Sequence, residues 1–196
     1  IPNIVVMAPR DENELQHMLK TAVECGGPAS VRYPRGKGVG VPLDETPRVL
    51  EIGKAEILLE GADMAIFAIG YTVQPALDAA KRLREEGIDA TVVNCRFVKP
   101  LDEDLIARVA SAVGKVLTVE ENVLAGGFGS AVLELLEMKG LCGINVKRLG
   151  IRDEFVEHAT QAEMRRKYGI DAEGIFEAAR KLAGPAKPAL REVLAK

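Results

Sequence analysis

The segment Val31-Arg32-Tyr33-Pro34-Arg35-Gly36-Lys37-Gly38 places three cations at the exit of a predicted strand, with Pro34 and the glycines shaping the turn between them. A guanidinium in such a place suits a phosphorylated or carboxylated small molecule, because its planar fork forms two parallel hydrogen bonds to the anion. Arg32, Arg35 and Lys37 also read as solvated loop charges, the commoner fate of loop cations, and composition alone favours that reading.

Other residues with chemical potential are weaker. Gly70-Tyr71-Thr72 follows a predicted strand, and the helix start behind it could hold an anion on free amides. A tight turn with Thr72 as helix cap is the simpler reading. Gly126-Gly127-Phe128-Gly129 has neither the GxGxxG nor the Walker spacing, so its glycines are read as permitting close chain approach. Glu120 and Glu121 are adjacent in an extended segment and point to opposite faces, which argues against one acid/base pair and leaves one of them for burial at a domain or subunit contact. His17 falls at an outer helical position and reads as solvated. His158 falls in a loop, and two histidines make no nucleophile–base–acid set.

Elements able to position these residues alternate along the chain. Predicted strands cover 4–7, 29–33, 52–59, 64–69, 90–95, 115–120 and 144–149. Predicted helices start at Asp11 with Glu14 completing a capping box, at Thr72, at Asp102, at Ser130, at Thr160 with Glu163, and near Ala172. Leu15, Met18, Leu19 and Ala22 give the first helix its expected apolar face. Residues 36–50, rich in Gly, Pro and charge, read as a linker. Strands separated by helices need crossover connections, so the expected class is α/β, a mostly parallel sheet with helices on both faces. The expected organisation is one unit over 1–45, a second over 50–183, and a tail over 184–196.

Composition narrows the partners. Net charge is −3 with no basic stripe, and aromatics make up only 4%, so nucleic acid is not expected. No apolar run approaches the roughly 20 residues that cross a bilayer, and no secretory leader is visible. Cys25, Cys95 and Cys142 lack zinc spacing, and Cys95 lies in an apolar run that suits an inert buried thiol. Free thiols without a leader suggest a reducing cytoplasm. The first residue is Ile1 rather than Met, so the chain is expected to begin inside a longer protein.

Several stretches resemble the 1-deoxy-D-xylulose-5-phosphate synthase family. They are Ile1–Pro9 with Asp11-Glu12-Asn13-Glu14, Val31–Gly36, Arg96-Phe97-Val98-Lys99-Pro100-Leu101-Asp102, Val119-Glu120-Glu121-Asn122, Gly126–Ser130, and Asp153–Gln161. Ala159 stands where the family commonly has glycine. The resemblance implies that 1–45 ends a pyrimidine-binding domain and that 50–183 is a transketolase-type C-terminal domain. It implies an enzyme using thiamine diphosphate and Mg²⁺ to condense pyruvate with glyceraldehyde 3-phosphate, losing CO₂, for isoprenoid, thiamine and pyridoxal synthesis. It implies Arg35 as the residue holding the aldehyde's phosphate, with Arg32 and Lys37 as supporting charges and Tyr33 as a packing residue. The family's Gly-Asp-Gly cofactor motif does not occur here, so this piece is expected to bind no cofactor and to be inactive alone. A homodimer is expected from the same resemblance. Another thiamine enzyme's β-subunit and a non-catalytic interaction module are the rival readings.

Overall fold

Period-two burial organises the molecule, which we describe from a computed structural model covering residues 1–184. The elements are β1 (Val5–Met7), α1 (Glu12–Glu24), β2 (Ala29–Val31), β3 (Glu56–Leu59), β4 (Met64–Ala68), α2 (Val73–Glu85), β5 (Ala90–Asn94), β6 (Phe97–Lys99), α3 (Glu103–Val113), β7 (Lys115–Val123), α4 (Phe128–Met138), β8 (Asn145–Ile151), α5 (Gln161–Lys167) and α6 (Ala172–Ala183). Along β4, Met64, Ile66 and Ala68 enter one core with α2 and α6. Ala65, Phe67 and Ile69 enter another with α3 and α4. A strand buried on both faces is mostly apolar, which is why β4 and β5 lack polar alternation; the polar Thr91 and Asn94 of β5 are hydrogen-bonded, to the Gly61 carbonyl and to Glu14.

The main sheet runs β3-β5-β4-β7-β8. Its strands are parallel except β3, which pairs antiparallel with β5 at one edge. The α/β class with helices on both faces is thus observed. The smaller sheet, β2-β1-β6, has β1 and β2 parallel and β6 antiparallel to β1. Its core is Met7, Met18, Leu50 and Phe97. Strand β6 escaped the sequence reading because only three residues pair, just after Arg96 turns the chain through φ 55°. No helix among the described residues is long and apolar enough to cross a membrane.

Three expectations are corrected. Helix α1 buries Glu14, His17, Met18 and Thr21, while Leu19 stays 48% exposed. The face is polar because α1 receives a chain segment with bare backbone donors. That segment is the predicted linker: residues 39–50 hold no helix or strand but lie strapped along α1. Glu12 accepts from the N–H groups of Val39, Gly40 and Val41, Asn13 from Asp44, His17 from Arg48, and Thr21 from Leu50. His17 is consequently buried, not solvated. Its Nδ1 accepts the Arg48 N–H at 3.1 Å, which leaves the proton on Nε2, 2.9 Å from the Asp44 carboxylate. Finally, Thr72 does not cap α2; its hydroxyl donates toward the Ile69 and Val119 carbonyls and ties the turn after β4 to β7. The capping box at Thr160 and Glu163 forms as expected. Of the predicted tail, all but Gly184 lies outside the described residues.

Candidate functional site: a cleft at the strand exits

Parallel strands β1 and β2 end side by side, and Arg32 N–H extends their ladder to the Met7 carbonyl at 2.9 Å. The chain then leaves the sheet through Tyr33–Gly38, facing Pro9 and Arg10 after β1 and the turn that carries Tyr71 after β4. Together they wall a cleft of about 380 Å³, with Arg35, Lys37, Tyr33 and Tyr71 among its lining residues. Carboxyl ends of parallel strands are where α/β sheets hold ligands.

Charge in the cleft divides into spent and spare. Arg10 pairs with Asp11 at 3.1 Å and with Glu56 at 2.9 Å. Behind it Arg96 pairs with Glu14 at 2.7 Å and also with Glu56. These guanidiniums are neutralised. Arg35 and Lys37, by contrast, have no side-chain hydrogen bond or ion pair among the described residues. An unpaired guanidinium and ammonium on one concave wall can bind a dianion. Tyr33, expected to pack, is instead 56% exposed there. Arg32 is half-buried beside Gly70, with a buried Nη2 that finds no hydrogen-bond partner among the described residues.

The loop carrying Arg35 is held from two sides. On one, the Glu12 carboxylate gathers the Val39–Val41 donors. Hydrogen bonds from its own and those three backbone N–H groups keep its pKa below the ordinary value. On the other, the Gln161 side-chain amide donates to the Arg35 carbonyl. Gln161 Oε1 accepts from Arg165 Nη2 at 3.1 Å. Arg165 Nε in turn lies 2.9 Å from Glu121 Oε1, and its guanidinium carbon sits 3.3 Å from the centroid of the Tyr71 ring. Sequence reading had Tyr71 and Gln161 inside quoted motifs without a role. Arg165 carried no signal, since only the fold brings it against Glu121.

The glycine turn behaves differently. Glu120, fully buried, accepts the Phe128 and Gly129 N–H groups, each at 2.8 Å. The start of α4 is thereby filled by the protein's own carboxylate. A Cβ on Gly127 would stand 2.3 Å from the Val123 carbonyl oxygen and 2.4 Å from Glu120 Oε2, so the close approach read from the glycines is real. Burial pushes the Glu120 carboxyl up, against the pull of those two N–H bonds and of the Arg32 and Arg148 charges. Glu121 does point elsewhere, to Arg165, so the two carboxylates form no pair.

Comparison with known proteins places this architecture. Residues 53–175 match the family described as transketolase, C-terminal domain. The chain is 66% identical over 182 residues to 1-deoxy-D-xylulose-5-phosphate synthase of Syntrophus aciditrophicus, covering 93% of this chain and 28% of that protein. It is 62% identical over 175 residues to 1-deoxy-D-xylulose-5-phosphate synthase 1 of Geobacter metallireducens, covering 89% and 28%. The chain thus spans under a third of the length of these relatives. Among solved structures, a split-gene transketolase described as an inactive β4 tetramer superposes with a TM-score of 0.83 at 36% identity, covering 95% of this chain and 60% of that one. A Pichia stipitis transketolase variant, H261F, superposes at 0.64 and 22% identity, covering 96% of this chain and 28% of that one, a likeness of fold alone.

Proposed function

Because the chain belongs to the transketolase C-terminal domain family, we propose that it is the C-terminal part of a 1-deoxy-D-xylulose-5-phosphate synthase, which condenses pyruvate with glyceraldehyde 3-phosphate and releases CO₂. Residues 1–45 end the pyrimidine-binding domain in this reading, and 50–183 form the C-terminal domain. The observation that carries it is the pair of unspent cations, Arg35 and Lys37, on the strand-exit cleft. Arg35 holds the aldehyde's phosphate. A dianion fixed there orients the carbonyl for attack and removes its rotational freedom from the barrier. Lys37 adds charge to the same wall.

Thiamine diphosphate supplies the carbanion chemistry of such synthases, and Mg²⁺ holds its diphosphate. The residues here do not fit that group. Among the described residues no cluster of three or more His, Cys, Asp or Glu side chains is placed to hold a metal ion. The glycine-rich start of α4 is filled by Glu120. The part this chain plays is therefore substrate binding, with the cofactor held by other segments of a longer protein. The piece alone is inactive, and the whole enzyme is a cytoplasmic homodimer. Self-association draws support from the split-gene relative, whose β chain is described as a tetramer. That relative also supports the second reading, a separate β-type subunit that needs an α partner and gives no response to glyceraldehyde 3-phosphate.

Arg35→Ala in the full-length enzyme tests the proposal. The KM for glyceraldehyde 3-phosphate should rise about 10- to 100-fold, the worth of a charge-assisted hydrogen bond, with the KM for pyruvate nearly unmoved. An equal rise for both substrates removes Arg35 from the phosphate role. Absence of any response to glyceraldehyde 3-phosphate in the unsubstituted protein sinks the synthase reading.

A further inference from the structure

We propose that Gln161 is a positioning residue for the phosphate subsite, set in place by Arg165 and acting through the main chain of Arg35. The inference rests on the reading of Arg35 given above and names what makes that arginine effective.

A cation on a free loop binds a dianion poorly, because the loop must be ordered each time the ligand arrives. Between Tyr33 and Gly38, no backbone group donates or accepts a hydrogen bond within the described residues except one. That exception is the Arg35 carbonyl, which accepts from Gln161 Nε2. The next anchors are Arg32 N–H on β1 and the Glu12 carboxylate beneath Val39–Val41. Gln161 therefore pins the loop at the residue whose side chain is unspent.

The pin is itself rigid. A glutamine amide can turn either end toward a neighbour, but here Oε1 accepts from Arg165 Nη2, so Nε2 must face Arg35. Arg165 has no freedom to give this up. It is only 9% exposed, both its Nε and Nη2 lie within 2.9 Å of Glu121 Oε1, and its plane rests on Tyr71. Tyr71 and Arg35 line the same cleft. One chain of contacts thus runs from Glu121 on β7 through Arg165 and Gln161 on α5 to the Arg35 carbonyl, with Tyr71 braced along it. Gly36 lies close against this pin: a Cβ there would stand 3.1 Å from Gln161 Oε1, a tight contact to which the glutamine would have to yield. The Arg-Gly order of the loop and the Thr-Gln order at the α5 cap are two halves of one device. Thr160 caps the helix through Glu163 N–H and its own side chain bonds the Glu163 carboxylate, so position 161 starts from a fixed first turn.

Gln161 is exposed at the surface, so its replacement leaves the fold standing and isolates the positioning effect. The experiment uses the full-length enzyme with Gln161→Met, which keeps length but loses the donor, and Gln161→Glu, which keeps an acceptor for Arg165 but turns a carboxylate toward the Arg35 carbonyl. Steady-state kinetics are compared for glyceraldehyde 3-phosphate and unphosphorylated glyceraldehyde, each against pyruvate, beside Arg35→Ala. Both Gln161 variants should raise the KM for glyceraldehyde 3-phosphate about tenfold, one hydrogen bond's worth, and leave the KM for glyceraldehyde and for pyruvate within about twofold. A merely structural role would weaken all three substrates or lower kcat with each, and that result overturns the proposal. If Arg35→Ala loses preference for the phosphorylated aldehyde while both Gln161 variants keep it, the positioning role fails and the Arg35 reading stands. If Arg35→Ala keeps that preference too, the reading beneath both fails.

Discussion

Two glutamates in this chain do the same thing in opposite surroundings. Glu12 gathers three consecutive backbone N–H groups from residues 39–41 at the surface, and Glu120 gathers two from residues 128 and 129 in the interior. Each carboxylate organises a glycine-containing loop at a strand exit. The one at Glu120 is turned inward: its carboxylate oxygens take up the Phe128 and Gly129 N–H groups, and the nearby Arg148 donates to the Leu124 carbonyl and the Ser130 hydroxyl. The one at Glu12 frames a loop with charge left over, Arg35 and Lys37, on an open cleft. Saturated bonding marks a loop that serves the fold. Spare bonding capacity marks one that can serve a ligand.

Substitutions at the two loops should break this comparison at different strengths. Glu120→Ala strands two buried N–H groups and leaves a void beside Gly127, so it should cost about 3 kcal/mol or more of unfolding free energy in urea titration. Arg35→Ala, on the spare-charge loop, should cost under about 0.5 kcal/mol in the same titration. Similar losses for the two would mean that Arg35 is structural and that the division between inward-turned and open loops is wrong.

The pH response should separate the interior loop further. Burial raises the Glu120 pKa above its ordinary 4.5 in the folded protein. The folded state therefore holds this proton more tightly than the unfolded chain does. The stability tied to that proton is complete below pH 4.5 and is lost as pH rises through the folded value. Glu120→Gln cannot titrate, so subtracting its unfolding free energy from that of the unsubstituted protein cancels every other group. The difference should favour the unsubstituted protein more at pH 4 than at pH 8. A difference that grows with pH would mean that the Phe128 and Gly129 donors outweigh desolvation.

The sequence marked one loop as a candidate site but conveyed the geometry of neither. Continuous apolar runs made β4, β5 and β7 visible, because a doubly buried strand admits few polar residues. Caps at Asp11, Asp102 and Thr160 were visible because a side-chain oxygen three residues before a needed donor is a local signal. Arg35 stood out by its neighbours Pro34 and Gly36. What escaped was everything decided by a second segment. The apolar face expected of α1 held for Met18 and Ala22 but not for Leu19, because Glu12, Asn13, His17 and Thr21 bind the backbone of residues 39–50, and no spacing rule pairs a helix with a later irregular chain. Arg165 and Glu121 lie 44 residues apart and meet only through the crossing of β7 and α5. Residues 36–50, read as a linker for want of regular structure, are tied to α1 along 39–50 by contacts that leave no trace in local spacing.

The most local of the expected effects lies at Glu12 and carries the opposite sign to Glu120. Here the hydrogen bonds lower the carboxyl below 4.5, so the folded state favours the ionised form. That contribution is present above pH 4.5 and fades as pH falls through the folded value. Glu12→Gln keeps one acceptor oxygen in place of two, and Val39, Gly40 and Val41 cannot all be satisfied by it. Their amide hydrogens should exchange about tenfold faster at neutral pH, while those of α4 stay unchanged. In the unsubstituted protein the same three amides should lose protection on acidification before the Phe128 and Gly129 amides do, because protonating Glu12 removes its charge at a pH where Glu120 is already protonated and still bonded. Simultaneous loss at both loops would mean that acid opens the molecule as a whole, and the two carboxylates would then no longer be independent clasps.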